Sequence, residues 1–139
     1  MRRNTRAADV PAVPLDYLAI FDAVRQPYLI LTPQFVIIDA NPAYLRATMT
    51  ARDAVRGRHL FDVFPDNPSD PAADGVHNLR ASLRNVLEER LPHAMPIQKY
   101  DIRRPDGEFE ERFWDPLNTP VLTSDDRISL IVHHVKDVT

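Results

Sequence analysis

The sequence contains no cysteine, which excludes disulfides, zinc ribbons, iron–sulfur clusters, thiolate nucleophiles and a cysteinyl–flavin adduct. The absence also fits a reducing, cytoplasmic setting. Glycine occurs only 3 times, so the glycine-rich loops that cradle phosphates cannot be built. No apolar stretch approaches the roughly 20 residues needed to span a bilayer, and membrane insertion is not expected. Arg2, Arg3 and Arg6 are not followed by an apolar segment of the kind a secretory signal needs. Seventeen basic residues stand against 20 acidic ones with no long basic run, which argues against nucleic acid as a partner. What is present, 139 residues at 44% apolar and 27% charged, describes one globular domain.

Proline, at 13 copies, punctuates the chain. Residues 1–14 are polar with Pro11 and Pro14 and read as a disordered lead-in to a domain over 15–139. Leu15, Leu18, Phe21 and Val24 recur at helical spacing, so an amphipathic helix is predicted over 15–25, ended by Pro27. Two β-branched and aromatic runs, 28–32 and 35–39, are separated only by Pro33 and Gln34 and predict an antiparallel hairpin. Asn41-Pro42 marks a helix start, because Asn accepts from free amides and Pro at the first position loses no bond. Thr50 and Asp53 have the spacing of a second capping box, and Gly57 ends that turn. Leu60, Phe61, Val63 and Phe64 form a one-turn apolar cluster.

Prolines 65, 68 and 71 make 65–74 a loop, after which Asp74 is expected to cap a helix over 76–89. Val76, Leu79, Leu83, Val86 and Leu87 give that helix its buried stripe. Strands follow over 95–103, 109–116 and 128–135, the first two joined by an Asp106-Gly107 turn. Two strands, then helices, then three strands predict an α+β fold: a five-stranded antiparallel sheet with helices on one face and an amphipathic N-terminal helix.

Particular residues sharpen this. The run Asp39-Ala40-Asn41-Pro42-Ala43-Tyr44, the segment Gly57–Phe64, the Asp106-Gly107 turn, Pro116 with Pro120, and the ending Asp137-Val138-Thr139 together resemble the PAS family over nearly the whole chain. The long proline-rich loop departs from its simplest members. The resemblance implies a sensory or interaction module, such as the input domain of a bacterial histidine kinase in a two-component system. In that reading Asp137-Val138-Thr139 leads to an effector beyond Thr139, and 1–139 is a fragment of a longer regulator.

If the last strand has the family's orientation, Ser129, Ile131, His133 and Val135 face a cavity. Phe64, Leu79, Leu83, Trp114, Asn118, Ile131 and His133 are then candidate ligand-pocket residues. Trp114 could offer its indole donor, Asn118 an inward amide and His133 a hydrogen bond, although each also suits an ordinary core or turn position. Leu130 and Val132 would face the other way. With Leu15, Leu18 and Phe21 they are candidates for a homodimer interface. Tyr100 and Phe113 are plausible cross-strand partners. No resident cofactor is assigned, and haem and flavin are disfavoured: the five histidines lack metal-ligand spacing, and His77 reads as a surface residue near a helix start. Neighbouring Glu110 and Glu111 diverge on a strand, and no serine lies in a nucleophile motif, so no catalytic or metal site is assigned. The alternatives to small-molecule sensing are a ligand-free dimerisation module and a cone-shaped α+β isomerase or hydratase using His133 with a carboxylate.

Overall fold

The β-branched runs pair as predicted in a computed structural model that describes residues 10–139. Residues 1–9 of the expected lead-in lie outside the described residues, and 10–14 are exposed and irregular. Strands β1 (Tyr28–Leu31) and β2 (Ile37–Ala40) are antiparallel, with Leu29, Leu31, Ile37 and Ala40 fully buried on one face. Their turn is longer than Pro33-Gln34. Thr32 and Phe35 close it, and Phe35 adopts φ 67°. A non-glycine residue holds that conformation because its ring is buried edge-on against Phe61 and His59.

Helix α1 (Tyr17–Ala23) begins where Asp16 accepts from the Ala19 amide at 3.1 Å. It is shorter than the predicted 15–25 because Val24 already has extended backbone. None of its residues is buried, and Leu15 and Leu18 beside and within it are 66% and 55% exposed.

Asn41 starts helix α2 (Pro42–Thr48), accepting from the Tyr44 amide at 3.0 Å. The same oxygen accepts from the Tyr28 amide at 3.0 Å, at the start of β1. Its amide nitrogen reaches the carbonyls of Gln26 (2.8 Å), Phe21 (3.2 Å) and Val24 (3.3 Å). One fully buried side chain thus ties the exit of α1, the start of β1 and the start of α2 together. Arg52, at the start of helix α3 (Arg52–Val55), adds a second tie, to Asp22 at 2.5 Å, Asp39 at 2.8 Å and the Ala40 carbonyl at 2.9 Å.

The predicted Thr50–Asp53 capping box does not form. Ala51, which has no polar side chain, holds the cap position instead, and the Thr50 hydroxyl is engaged by that of Thr48 at 2.8 Å. In helix α4 (Leu60–Val63) His59 supplies the cap, its Nδ1 accepting from the Phe61 amide at 3.2 Å. Helix α5 (Gly75–Glu89) buries Leu79, Ser82, Leu83 and Val86. Its cap also differs from expectation. Asp66 in the proline-rich loop, not Asp74, accepts from the Val76 amide at 3.1 Å. That loop is fastened by Lys99, which bonds Asp70 at 2.8 Å and Asp101 at 3.0 Å.

Strands β3 (His93–Ala94) and β4 (Gln98–Lys99) both pair with the long strand β7 (Phe113–Leu122), and β8 (Ile128–Asp137) lies between β7 and β1. The order is therefore β2-β1-β8-β7, with a broken ribbon of β3 and β4 at the far edge. The break has a cause in the sequence. Pro96 cannot donate to a ladder, and the register shifts by one between the Ala94–Leu117 and Gln98–Trp114 pairs. Past Tyr100 the ribbon continues as β5 (Ile102–Arg103) and β6 (Phe109–Glu110), closed by Asp106 and by Gly107 at φ 88°. Phe113 faces Lys99 across the ladder, so the expected Tyr100–Phe113 pair is displaced by one residue.

The inner face shares one core with α2, α4 and α5. The outer face aligns Ile30, Val132 and Thr119 in one row, and Leu130 with Val121 in the next. It is only partly covered by the described residues.

Replacing Asn41 with Ala removes a cap and strands buried amides and carbonyls, and unfolding free energy should fall by about 2–4 kcal/mol in denaturant titration. Asn41→Asp keeps both accepted bonds but cannot donate. Its carboxylate oxygen would face the Gln26, Phe21 and Val24 carbonyls, so at pH 7 it should cost at least as much as Ala and speed hydrogen exchange in α1.

Candidate functional site

His133 on β8 and Asn118 on β7 are directly paired in register, and both side chains are buried in the inner face. His133 Nδ1 lies 2.6 Å from Asn118 Oδ1. The Asn118 amide nitrogen approaches the Ser82 hydroxyl at 2.9 Å and the Met95 sulfur at 3.6 Å. A thioether only accepts, which identifies that atom as the NH2 group and makes His133 Nδ1 the donor to Oδ1. Ser82 in turn meets His93 Nδ1 at 2.6 Å. The result is a polar chain, His133–Asn118–Ser82–His93, running from the centre of the sheet through α5 to the half-buried β3 edge. Burial, with a smaller contribution from neighbouring His134, pushes the His133 pKa down to about 4, so the imidazole is neutral at physiological pH.

Beside His133 lies a cavity of about 50 Å³. Phe64, Leu79, Trp114 and His133, named from the sequence, line it together with residues the sequence did not assign to a pocket, among them Tyr44, Thr48, Gly75, Met95, Gln98 and Tyr100. Leu83, Asn118 and Ile131 do not line it. The cavity sits toward the Trp114 end of β7 and the Val135 end of β8, and Asn118 and Ile131 lie nearer the β7–β8 turn. Leu83 is one turn farther along α5 than Leu79 and is consumed by the core. Ser129 is exposed and bonds the Val121 carbonyl at 3.2 Å, beside a register break. Trp114 does not offer its indole N–H to the cavity, because the Tyr100 carbonyl takes it at 2.8 Å. The dimer candidates Leu130, Val132 and Phe21 are half-buried, and Leu15 and Leu18 are exposed.

Tyr44 was hidden in the sequence because its position in α2 reads as core packing, and Tyr100 because its strand register was ambiguous. Gly75 carries a signal visible only in three dimensions. A Cβ there would meet the Tyr100 ring at 2.5 Å, so the absent side chain is what lets that ring close over the cavity. The ring is fixed from its far end by a bond from the Tyr100 hydroxyl to the Phe64 carbonyl at 2.5 Å. A second groove, of about 320 Å³, lies between α2–α3 and the β5–β6 ribbon and shares Thr48, Phe64 and Ile102 with the cavity as a common wall.

Two outcomes follow. Below pH 6.5 the unfolded chain protonates at position 133 while the folded chain resists until about pH 4. Stability should fall across that window by roughly 3 kcal/mol. Urea titrations should show this loss in the wild type and a much smaller one in His133→Asn. Gly75→Ala should displace the Tyr100 ring and cost about 1–3 kcal/mol by overpacking, read as a lower Tm and a changed near-ultraviolet spectrum.

Comparison with known proteins fits this architecture. No curated protein matches the chain. Among solved structures, a PAS domain from Colwellia psychrerythraea superposes with a TM-score of 0.67 at 15% identity, over 88% of this chain and 93% of that one. The LOV protein of Rhodobacter sphaeroides gives 0.63 at 15%, over 86% of this chain and 63% of that one. The VqmA dimer of Vibrio cholerae gives 0.62 at 22%, and there the match spans 91% of this chain but only 52% of VqmA. The family described as the PAS fold matches residues 21–139, and this chain belongs to it.

Proposed function

We propose that this chain is a sensory module that binds a small molecule in the cavity beside His133 and passes the change to an effector through β8. The observation that carries the reading is the position of the cavity: its wall includes His133 and Val135, two residues of the last strand. A ligand there touches the segment from which the chain leaves the sheet. It shifts that segment only by binding one of its arrangements better than another. The strand end is held by the Val138 amide on the Phe113 carbonyl at 2.9 Å and by the Phe113 amide on the Thr139 hydroxyl at 3.0 Å. These two bonds are the ones such a shift would exchange. A histidine kinase is the effector the sequence resemblance suggests. A solved structure shows VqmA bound to DPO, a precedent for a small ligand on a protein of similar fold. No helix among the described residues is long and apolar enough to cross a membrane.

A second reading, homodimerisation, has its own support in the exposed Leu15 and Leu18 of the N-terminal helix region and the partly open outer sheet face with Leu130 and Val132. Phe21 would join that contact. The isomerase or hydratase alternative needs a carboxylate beside His133, and among the described residues no carboxylate lines the cavity.

Fractionated cell extract titrated into the labelled protein tests the first reading. Saturable shifts of the Trp114 indole and Val135 methyl resonances are expected from one fraction. A protein that stays an empty dimer in native mass spectrometry, with no fraction moving those resonances, overturns sensing in favour of the interaction module.

A further inference from the structure

The polar groups around the cavity are almost all committed to one another. The Thr48 hydroxyl donates to the Tyr44 carbonyl at 2.8 Å, and Gln98 accepts from Asn78 and donates to the Pro96 carbonyl, both at 2.9 Å. Trp114 and Tyr100 are satisfied by the bonds described above. Two groups are left over among the described residues. The Tyr44 hydroxyl has no hydrogen-bond partner although the residue is only 4% exposed, and its titration is displaced upward by burial. His133, also 4% exposed, spends Nδ1 on Asn118 and leaves Nε2 free. Neither atom is sealed inside protein, and both residues line the cavity, so it is the cavity onto which both open. The two rings meet edge to face, with centroids 6.0 Å apart.

The roles of the two groups are fixed. Because Nδ1 carries the proton in its bond to Asn118, Nε2 can only accept. The tyrosine hydroxyl can donate. A single group that donates to Nε2 and accepts from Tyr44 satisfies both. A hydroxyl does so; a carbonyl or ether does not. The rest of the wall is apolar or self-satisfied, through Leu60, Phe64, Leu79 and Val135, and among the described residues no Lys, Arg, Asp or Glu lines it. An ionised ligand would therefore forfeit its hydration without compensation. A space of about 50 Å³ holds a body several waters in size. Water itself could bridge the two groups, but its neighbours in the remaining space would face hydrocarbon, which favours carbon there.

We infer that the cavity is built for a small uncharged molecule bearing a hydroxyl group, held between the Tyr44 hydroxyl and His133 Nε2. This ligand class rests on the sensing role proposed above. The ligand hydroxyl donates to the imidazole and so reaches Asn118, Ser82 on α5 and His93 at the sheet edge through one continuous set of bonds.

Three probes of nearly equal size test it on the full chain at pH 7: propan-2-ol, which donates and accepts; acetone, which only accepts; and acetate, which is charged. Nuclear magnetic resonance should show saturable shifts at His133 and Trp114 with propan-2-ol, roughly tenfold weaker binding of acetone, and none of acetate. In Tyr44→Phe, propan-2-ol and acetone should both lose roughly tenfold, because each accepts from the tyrosine, and the preference for propan-2-ol should persist, because donation to His133 Nε2 sets it, while the Trp114 indole resonance stays in place. Xenon, an apolar probe of empty space, separates the two levels of the argument. Xenon entering while propan-2-ol and acetone bind alike overturns the hydroxyl class and leaves the cavity as a sensing site. Failure of xenon and all three probes to reach the cavity overturns the small-molecule reading itself.

Discussion

The hydrogen bond from His133 to Asn118 is the constraint around which the interior is arranged. An imidazole in an apolar core costs little only if it stays neutral and its N–H is paired. Asn118, opposite in the ladder, supplies the acceptor at 2.6 Å. That commitment obliges Asn118 to donate elsewhere, and its partners are Ser82 on α5 and the Met95 sulfur. Ser82 then passes the demand to His93. Each residue is satisfied by the next, so the packing of α5 against the sheet is fixed by polar specificity as well as by Leu79, Leu83 and Val86.

A second polar hub, Asn41, does for the N-terminal edge what Asn118 does for the centre. It holds α1 by its exit, through carbonyls, while leaving the helix surface unburied. Arg52 doubles the attachment through Asp22 and Asp39, whose own carboxyl at position 22 is held below the ordinary range by the guanidinium. Because these ion pairs are partly exposed, solvent screens them and their contribution is modest. The anchoring bonds are the buried ones at Asn41. Helix α1 is thus fastened in place yet keeps an apolar surface, a combination compatible with covering the outer sheet face of another copy.

How much of this was legible in the sequence depends on the range of the forces involved. Local rules carried far: Asn41-Pro42 started α2 and Asp106-Gly107 closed a ribbon, while the orientation implied by the family resemblance put Ile131, His133 and Val135 inward. The misreadings came from competition over distance. Asp74 was the nearest cap for α5, but Asp66, ten residues before Val76, took the amide because the proline-rich loop folds back over the helix start. Thr50 bonds a neighbour's hydroxyl, and Ala51 takes the cap position. The first closing strand broke at Pro96, a proline whose effect on register needs the partner strand to be known. At the site, the resemblance pointed to His133 and Trp114, but which atoms face the cavity depended on tertiary contacts: the Tyr100 carbonyl takes the Trp114 indole, and Tyr44 on α2 lines the cavity.

The small size of the cavity sets a bound on how such a module can work. A ligand moves a two-state equilibrium by no more than its difference in affinity for the two states. Driving the populations from 1:99 to 99:1 takes about 5.5 kcal/mol of that difference. The best very small ligands gain about 1.5 kcal/mol per heavy atom in total, so a molecule of about four heavy atoms has roughly 6 kcal/mol at its disposal. Nearly all of its binding energy would have to discriminate between states. The economical solution is a protein whose two arrangements are almost equal in free energy. In it, the buried polar chain gains or loses one strong bond when His133 Nε2 is occupied. The exposed end of β8, held by two exchangeable bonds between Phe113 and Val138–Thr139, is the segment with the least to lose in such an exchange.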